Sequence, residues 1–452
     1  MTPALAVPAT LDRSQHRGRA AFFFLMAFTA LLYGRPADQI VVLKDIPMAE
    51  VVAIAAILAF GFALLKGEVP LVWFTELKLM LGLTAWFILG LPFAFWRTNS
   101  VTQLTSVWLK TLIIFFLLTQ TVHTLERVKK LLWIILTCML WVSVMTIPRG
   151  LNALQHDWRL VGATFGFFDG NYLGIAVSST LPFMVVLLLR GRSVLKAMMI
   201  LTTFAGMMWM VVLTASRGGM VCVGISLALI WFMILRQSIK AQFVGVVLVI
   251  GILVALAFAP QTFWSRINTL WESKIASSDR QAQSASASEM QRTGLLKRSL
   301  EATITRPVFG LGIGNFSPWS GATTGLSQEW KGTHNIYTQF SSEAGIPALA
   351  MFLGLLFTVT RKLRRMDKEC RGVPELDELR HFARATLVSL YAFMLGGLFA
   401  HLGYDFFLYY VLGIGIALQS AMELARKSMV PAGVPNGHSA TTYRNGVKGR
   451  AW

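Results

Sequence analysis

His334 and Asn335 stand side by side just ahead of a long apolar run, and Asn335, Gln339, Ser342 and Glu343 recur beyond them at helical spacing. That spacing sets a polar stripe on one helix face, and such stripes in apolar segments face a cavity or a bundle interior. A histidine is the side chain best suited to take a proton near neutral pH, although a lone one at such a boundary can serve structure alone. Two cations offer complementary chemistry. In Thr214-Ala215-Ser216-Arg217-Gly218-Gly219, a tight turn between apolar runs, Ser216 can cap the following helix and leave Arg217 in its first turn. A helix N-terminus with a guanidinium is a ready phosphate site; an arginine there can equally snorkel to lipid headgroups. Arg292 lies in a second segment, Glu289 to Thr303, where Leu295, Leu296, Leu300 and the following Ile304 fall at helical spacing between cations. A solvated helix face is the plainer reading of Arg292 by itself. A fourth group, Arg159 with Asp169, Asn171 and Tyr172, shares its residue types with ordinary turns and caps. His401 and Asp405 are four apart and can pair with each other, and Asp38 and Asp45 make no tight acidic cluster for a divalent metal.

These residues must be positioned by a chain of 452 residues that is 55% hydrophobic and only 14% charged. Apolar stretches near the roughly 20 residues that cross a bilayer recur along most of it. Helices apolar on every face for that length point to a membrane bundle rather than a soluble core. The expected spans are 20–35, 47–65, 77–95, 105–122, 129–147, 171–189, 194–214, 218–235, 241–259, 336–359, 383–402 and 404–424. The chain divides into a cytoplasmic tail 1–19, spans over 20–259, a large periplasmic loop 260–335, spans over 336–424 and a cytoplasmic tail 425–452.

The net charge of +19 invites a nucleic-acid reading, which the distribution of charge argues against. With the N-terminus in the cytoplasm, roughly 25 of the 41 Lys and Arg fall inside. They include Arg13, Arg17, Arg19, Arg127, Lys129, Lys130 and the run Arg361, Lys362, Arg364, Arg365 and Lys368. The short outer loops hold Arg35, Lys44, Arg97, Arg149, Arg159 and Arg217. That asymmetry places both termini in the cytoplasm, and only the outer cations then need a functional explanation.

The first apolar run, Ala21 to Tyr33, follows an Arg-containing head but no small-residue cleavage pattern follows it, so it reads as an uncleaved helix. Cys138, Cys222 and Cys370 have neither disulfide nor zinc spacing. Loops are expected to be short except at 148–170, at the basic stretch 360–382, which suits anionic lipid, and at 260–335. Within the last, the Ser/Ala/Gln-rich tract 277–288 reads as mobile, and Gly310, Gly312 and Gly314 make a turn-rich passage. No strand precedes those glycines, which argues against a nucleotide loop.

Taken together, the motifs resemble the O-antigen ligase family, which includes polymerases of lipid-linked glycans. His334-Asn335, nine residues and Gly345 is similar to its His-Asn signature at the end of the large loop. Arg292 with Leu296 resembles its Arg-x-x-x-Leu element, and Thr305 to Phe316 its Pro-Gly-x-Gly passage. Ser216-Arg217-Gly218 is similar to its Ser-Arg-Gly hairpin, and Asp169-Gly170-Asn171-Tyr172 to its Pro-Asn loop, with Gly170 in place of the commoner proline. The likeness covers roughly residues 155–360 in order and spacing; the first four spans match in topology only.

What the resemblance implies is an all-α, GT-C-like polytopic protein of about twelve spans, with amphipathic helices in its large periplasmic loop. It implies a metal-independent glycosyltransferase of the bacterial inner membrane, needing no cofactor and binding membrane lipids but no nucleic acid. Its donor would be an undecaprenyl-pyrophosphate-linked glycan and its acceptor lipid A-core or another glycan. His334 would be the catalytic base and Arg217 and Arg292 would hold the donor pyrophosphate, with Asn335, Arg159, Asn171 and Gln339 in support. A repeat-unit polymerase and a protein O-oligosaccharyltransferase use the same donor and cations. A secondary transporter or flippase is the reading from another class, and it would call for an internal repeat and broken helices at mid-membrane.

Overall fold

A computed structural model describes residues 18–38, 40–154, 170–268, 280–326 and 330–429. Every regular element among them is helical. The helices are α1 (Arg19–Gly34), α2 (Met48–Leu65), α3 (Thr75–Gly90), α4 (Arg97–Thr121), α5 (Leu125–Leu154), α6 (Gly170–Arg190), α7 (Val194–Thr214) and α8 (Arg217–Met233). They continue with α9 (Ile239–Ala257), α10 (Gln261–Asn268), α11 (Arg280–Thr305), α12 (Phe316–Thr324), α13 (Ile336–Glu369), α14 (Asp377–Gly396) and α15 (Phe406–Met429).

Eleven helices among the described residues are long and apolar enough to cross a membrane, which makes this a polytopic membrane protein. The expected crossing over 383–402 is not one of the eleven, because α14 carries Asp377, Glu378, Arg380 and Arg384 in its first two turns. It nevertheless runs the length of the bundle. Ile336 N donates to Gly397 O at 2.7 Å, so the start of α13 meets the end of α14 at one end, and the link through Pro374 joins them at the other. There Asp367 of α13 accepts from Arg380 at 3.0 Å, pairing a charge that α14 could not bury alone.

Two sequence expectations need correction. The fifth helix does not stop at 147: it continues through Pro148 to Leu154, shortening the loop expected over 148–170. A proline costs a helix one hydrogen bond, which the continuing turns of a long apolar helix can absorb. The Ser/Ala/Gln-rich tract is helical from Arg280 onward, continuous with the amphipathic segment that follows. Its alanines, glutamines and arginine are good helix formers, and that propensity outweighs the low-complexity pattern. Arg159 and Asp169 fall outside the described residues.

Burial ranks the helices. In α6, 89% of the span is buried, against 17% in α9, so α6 is the central helix and α9 a peripheral one. α6 packs against α8 and α14 through small residues. A Cβ on Gly174 would lie 2.3 Å from the Gly219 Cα, while Ser226 and Ser389 hydroxyls each donate at 2.7 Å to the carbonyls of Ser178 and Ser179. Close backbones and interhelical hydrogen bonds of this kind hold helices together where lipid removes the hydrophobic drive.

α13 is broken at Gly345, where φ is 81° and ψ 176°, a conformation essentially confined to glycine. The passage Gly310–Gly314 fits into that break. Leu311 N donates to Ser342 O at 2.9 Å and Ile346 N to Pro307 O at 2.8 Å. Trp86 Nε1 donates to Ala344 O at 2.9 Å, and the Glu343 carboxylate accepts from Gly314 N at 2.9 Å and Phe316 N at 3.2 Å. Backbone groups at the break, Ser342 O, Ala344 O and Ile346 N, thus find partners outside the helix, as a low-dielectric surrounding demands. Gly310 has φ 65°, and a Cβ there would stand 2.5 Å from the Glu343 carbonyl carbon, so the passage needs glycine for both conformation and approach.

Candidate active site

The candidate residues gather where α6, α8 and α13 begin. At the α7–α8 hairpin Ser216 caps α8, its hydroxyl accepting from Gly219 N at 3.2 Å and donating to Asn171 Oδ1 of α6 at 2.7 Å. The two glycines that follow are explained by contact. A Cβ on Gly218 would lie 2.4 Å from Asn171 Oδ1, and one on Gly219 2.7 Å from Gly170 O. In Ser216-Arg217-Gly218-Gly219, then, three residues serve the cap and the close approach. Arg217 serves neither and stands half-buried in the first turn, where backbone N–H groups and a guanidinium together favour an anion.

His334 ends the loop before α13 in a left-handed conformation, φ 50°, rare for a residue with a side chain. Asn335 holds that corner: its side chain caps α13 by accepting from Tyr337 N at 2.9 Å and Thr338 N at 3.1 Å. Gln339 also has a structural partner, accepting from Gly403 N at 2.9 Å. The stripe seen in the sequence therefore faces the bundle interior, and Asn335 and Gln339 fix the backbone that presents His334.

The His334 ring stands edge-on to His401, with centroids 5.2 Å apart and planes at 88°. His401 Nε2 and the Tyr172 hydroxyl share a hydrogen bond of 2.7 Å. A Cβ on Gly332 would come within 2.3 Å of His401 Nε2, so that ring lies against the bare backbone just ahead of His334. Sequence reasoning noted His401 only as a partner for Asp405 and Tyr172 only as part of a turn. Their joint signal was weak because α6 and the segment before α15 are more than two hundred residues apart; only folding brings them together.

Arg292 arrives on α11. That helix packs on α13, where the Thr303 and Ser341 hydroxyls meet at 2.8 Å, and encloses a small core of Leu295, Ala302, Leu311 and Phe316. Lys331 Nζ donates to Gln291 Oε1 at 2.8 Å, tying the turn that carries Arg292 to the loop that carries His334. Asn171 and Tyr172, adjacent on α6, link the rest: the first binds the Arg217 hairpin and the second the histidine pair.

Beside Tyr172 opens a cavity of about 440 Å³, lined among others by Arg35, Glu50, Lys110, Asp405 and Phe406. Arg35 pairs with Asp38 at 2.7 Å and Lys110 with Glu50 at 2.7 Å. Burial pushes the Asp405 carboxyl up to about 6, against the pull of Arg35. Among the described residues no three His, Cys, Asp or Glu side chains group as a metal site.

Residues 199–353 match the family described as O-antigen ligase. This part of the chain is O-antigen ligase-like. No curated protein matches the chain. The ligase-like region runs from within α7 to just past the break in α13 and includes Arg217, Arg292, His334 and Gly345. It supports a glycosyltransferase-type enzyme of the ligase and polymerase kind, acting on lipid-linked glycans in general. Asn171 and Tyr172 on α6, His401 between α14 and α15, and the residues lining the cavity lie outside the match.

Proposed function

We propose that this protein is an O-antigen ligase of the bacterial inner membrane, with its site on the periplasmic face and both termini in the cytoplasm. It moves a glycan from undecaprenyl pyrophosphate to a sugar hydroxyl of lipid A-core. One observation supports the reading: the ligase-like region carries a histidine and two arginines on segments that hydrogen bonds of their neighbours, Ser216 to Asn171 and Lys331 to Gln291, tie into the same bundle. The acceptor oxygen attacks the anomeric carbon, the bond from that carbon to the pyrophosphate oxygen breaks, and the acceptor proton passes to His334. Negative charge grows on the leaving pyrophosphate, and the α8 N-terminus with Arg217 and Arg292 answers it with fixed cations, without a metal. Asn335, Gln339 and Asn171 support the site by holding the backbones that present His334 and Arg217. Arg159, which lies outside the described residues, is a further supporting candidate.

Deleting the gene in its own host tests the reading on a gel of surface lipid. The expected result is lipopolysaccharide without its polymer, together with a ladder of polymer still attached to undecaprenyl pyrophosphate. Single repeat units left on the lipid would instead identify a polymerase, and loss of sugar from a protein an O-oligosaccharyltransferase. Within the same reading, Arg217→Lys keeps the charge and loses the planar fork. Transfer should fall about 100-fold, the scale on which one charge-stabilising donor is felt. Initial rates with membranes of matched protein content measure it, and a rate within twofold of wild type would reduce Arg217 to a lipid anchor.

A further inference from the structure

We propose that the cavity of about 440 Å³ beside Tyr172 is the subsite for the sugar end of the acceptor, an uncharged, hydroxyl-rich glycan. The inference rests on the transferase reading above and adds where the second substrate sits. Its volume falls in the range of about 300–1,000 Å³ common to small-molecule sites.

The lining selects the ligand. Its two cations are each held by a carboxylate, Arg35 by Asp38 and Lys110 by Glu50, and Asp405 adds a further acid, so there is no surplus of positive charge for a pyrophosphate. Hydrocarbon is disfavoured as well, because filling the cavity with acyl chain would strip water from five ionisable groups without replacing their hydrogen bonds. A sugar suits both halves of the wall. Its hydroxyls can donate to Glu50, Asp405 and the other carboxylate, and its C–H faces can lie on Leu31 and Phe406.

Position supports the same assignment. Tyr172 lines the cavity and shares its hydroxyl with His401, which stands edge-on to His334. Asn171, the preceding residue, binds the hairpin of Arg217 instead. Successive side chains on a helix point about 100° apart, so the first turn of α6 has the cation hairpin on one flank and the cavity on another. A single inverting displacement at an anomeric carbon has the nucleophile and the leaving group on opposite sides of that carbon. A donor at Arg217 and an acceptor in the cavity meet that need, and the histidine pair adjoins the cavity through Tyr172.

The test uses the purified full chain in lipid nanodiscs, a lipid-linked glycan donor and deacylated rough-type lipopolysaccharide as the acceptor probe. The cavity is altered by the paired change Glu50→Gln with Lys110→Gln, which removes both partners of one ion pair, and separately by Asp405→Asn. The expected result is a rise of tenfold or more in KM and in Kd for the deacylated probe, with KM for the donor and kcat each within twofold. Variants that fold as judged by thermal melting, yet leave the acceptor KM within twofold of wild type, overturn the inference and leave the transferase reading intact. A rise confined to the donor KM overturns it too, and so does a wild-type protein that binds only the acylated acceptor. No transfer by the wild type under any of these conditions would bring down the transferase reading itself.

Discussion

His334→Ala should lower glycan transfer by about 10²–10⁴-fold, the range for removing a positioned general base, without changing protein level or membrane insertion. The expectation separates chemistry from structure because the corner does not depend on the imidazole. Asn335 caps α13 and Thr333 Oγ1 donates to Asn335 O at 2.8 Å, so the backbone at 334 is fixed by its neighbours. Alanine also tolerates a left-handed φ poorly, which makes His334→Asn the matched control, since asparagine accepts that conformation more readily than most residues. Both variants should be inactive. An asparagine variant that transfers at the wild-type rate would show that the histidine holds a shape and takes no proton. Initial rates at saturating donor and acceptor, set against melting temperature in the same detergent, provide the measurement.

Gly345→Ala should cost about 4 kcal/mol or prevent accumulation of the folded protein altogether, placing it among the exceptional single substitutions. A Cβ at this position would stand 1.9 Å from Val308 O, and that atom belongs to a backbone locked by Ile346 N donating to Pro307 O. Neither wall is a flexible side chain, so the clash cannot relax cheaply. The φ of 81° with ψ of 176° adds the strain of a conformation that only glycine adopts freely. Membrane-fraction immunoblots and thermal melting check this, and a variant that melts within about 3 °C of wild type would contradict the geometry. Gly345 closes the nine-residue spacing from His334-Asn335, yet what it secures is the seat of the glycine passage and not a contact with substrate.

The architecture was legible in the sequence to the extent that composition governs it. Long apolar runs bounded by charge gave nearly every span, because a helix in lipid must hide its backbone within itself. α14 shows where that signal weakens: its first turns carry four charges whose compensation by Asp367 and others depends on packing. The Ser216 cap and the helical stripe from Asn335 were readable because each is settled within a few residues. Local pattern misled for 280–288, where polar residues of good helix propensity read as a mobile linker.

Of the candidate site, the residues with obvious charge or a proton to move were visible, and their partners were not. His401 lay in plain view, but its bond to Tyr172 joins two helices through the folded bundle. The cavity was still less legible. Its cations are drawn from the end of α1 and from within α4, where Lys110 reads as an awkward charge in a span until Glu50 of α2 stands beside it.

The near-complete burial of α6 bears on how the chain comes to be assembled. Its neighbours α8 and α14 are both made later, and α14 well after α8. Until then Gly174 and the Ser178 and Ser179 carbonyls lack Gly219, Ser226 and Ser389, the groups that cover them in the finished bundle. Asn171 can find Ser216 once α8 has been inserted, whereas Tyr172 must wait for the segment between α14 and α15 to bring His401. Arg217, Arg292 and His334 have thus all been synthesised before the histidine pair exists. The arrival of α14 and of the segment after it completes the packing of the central helix and the histidine pair together.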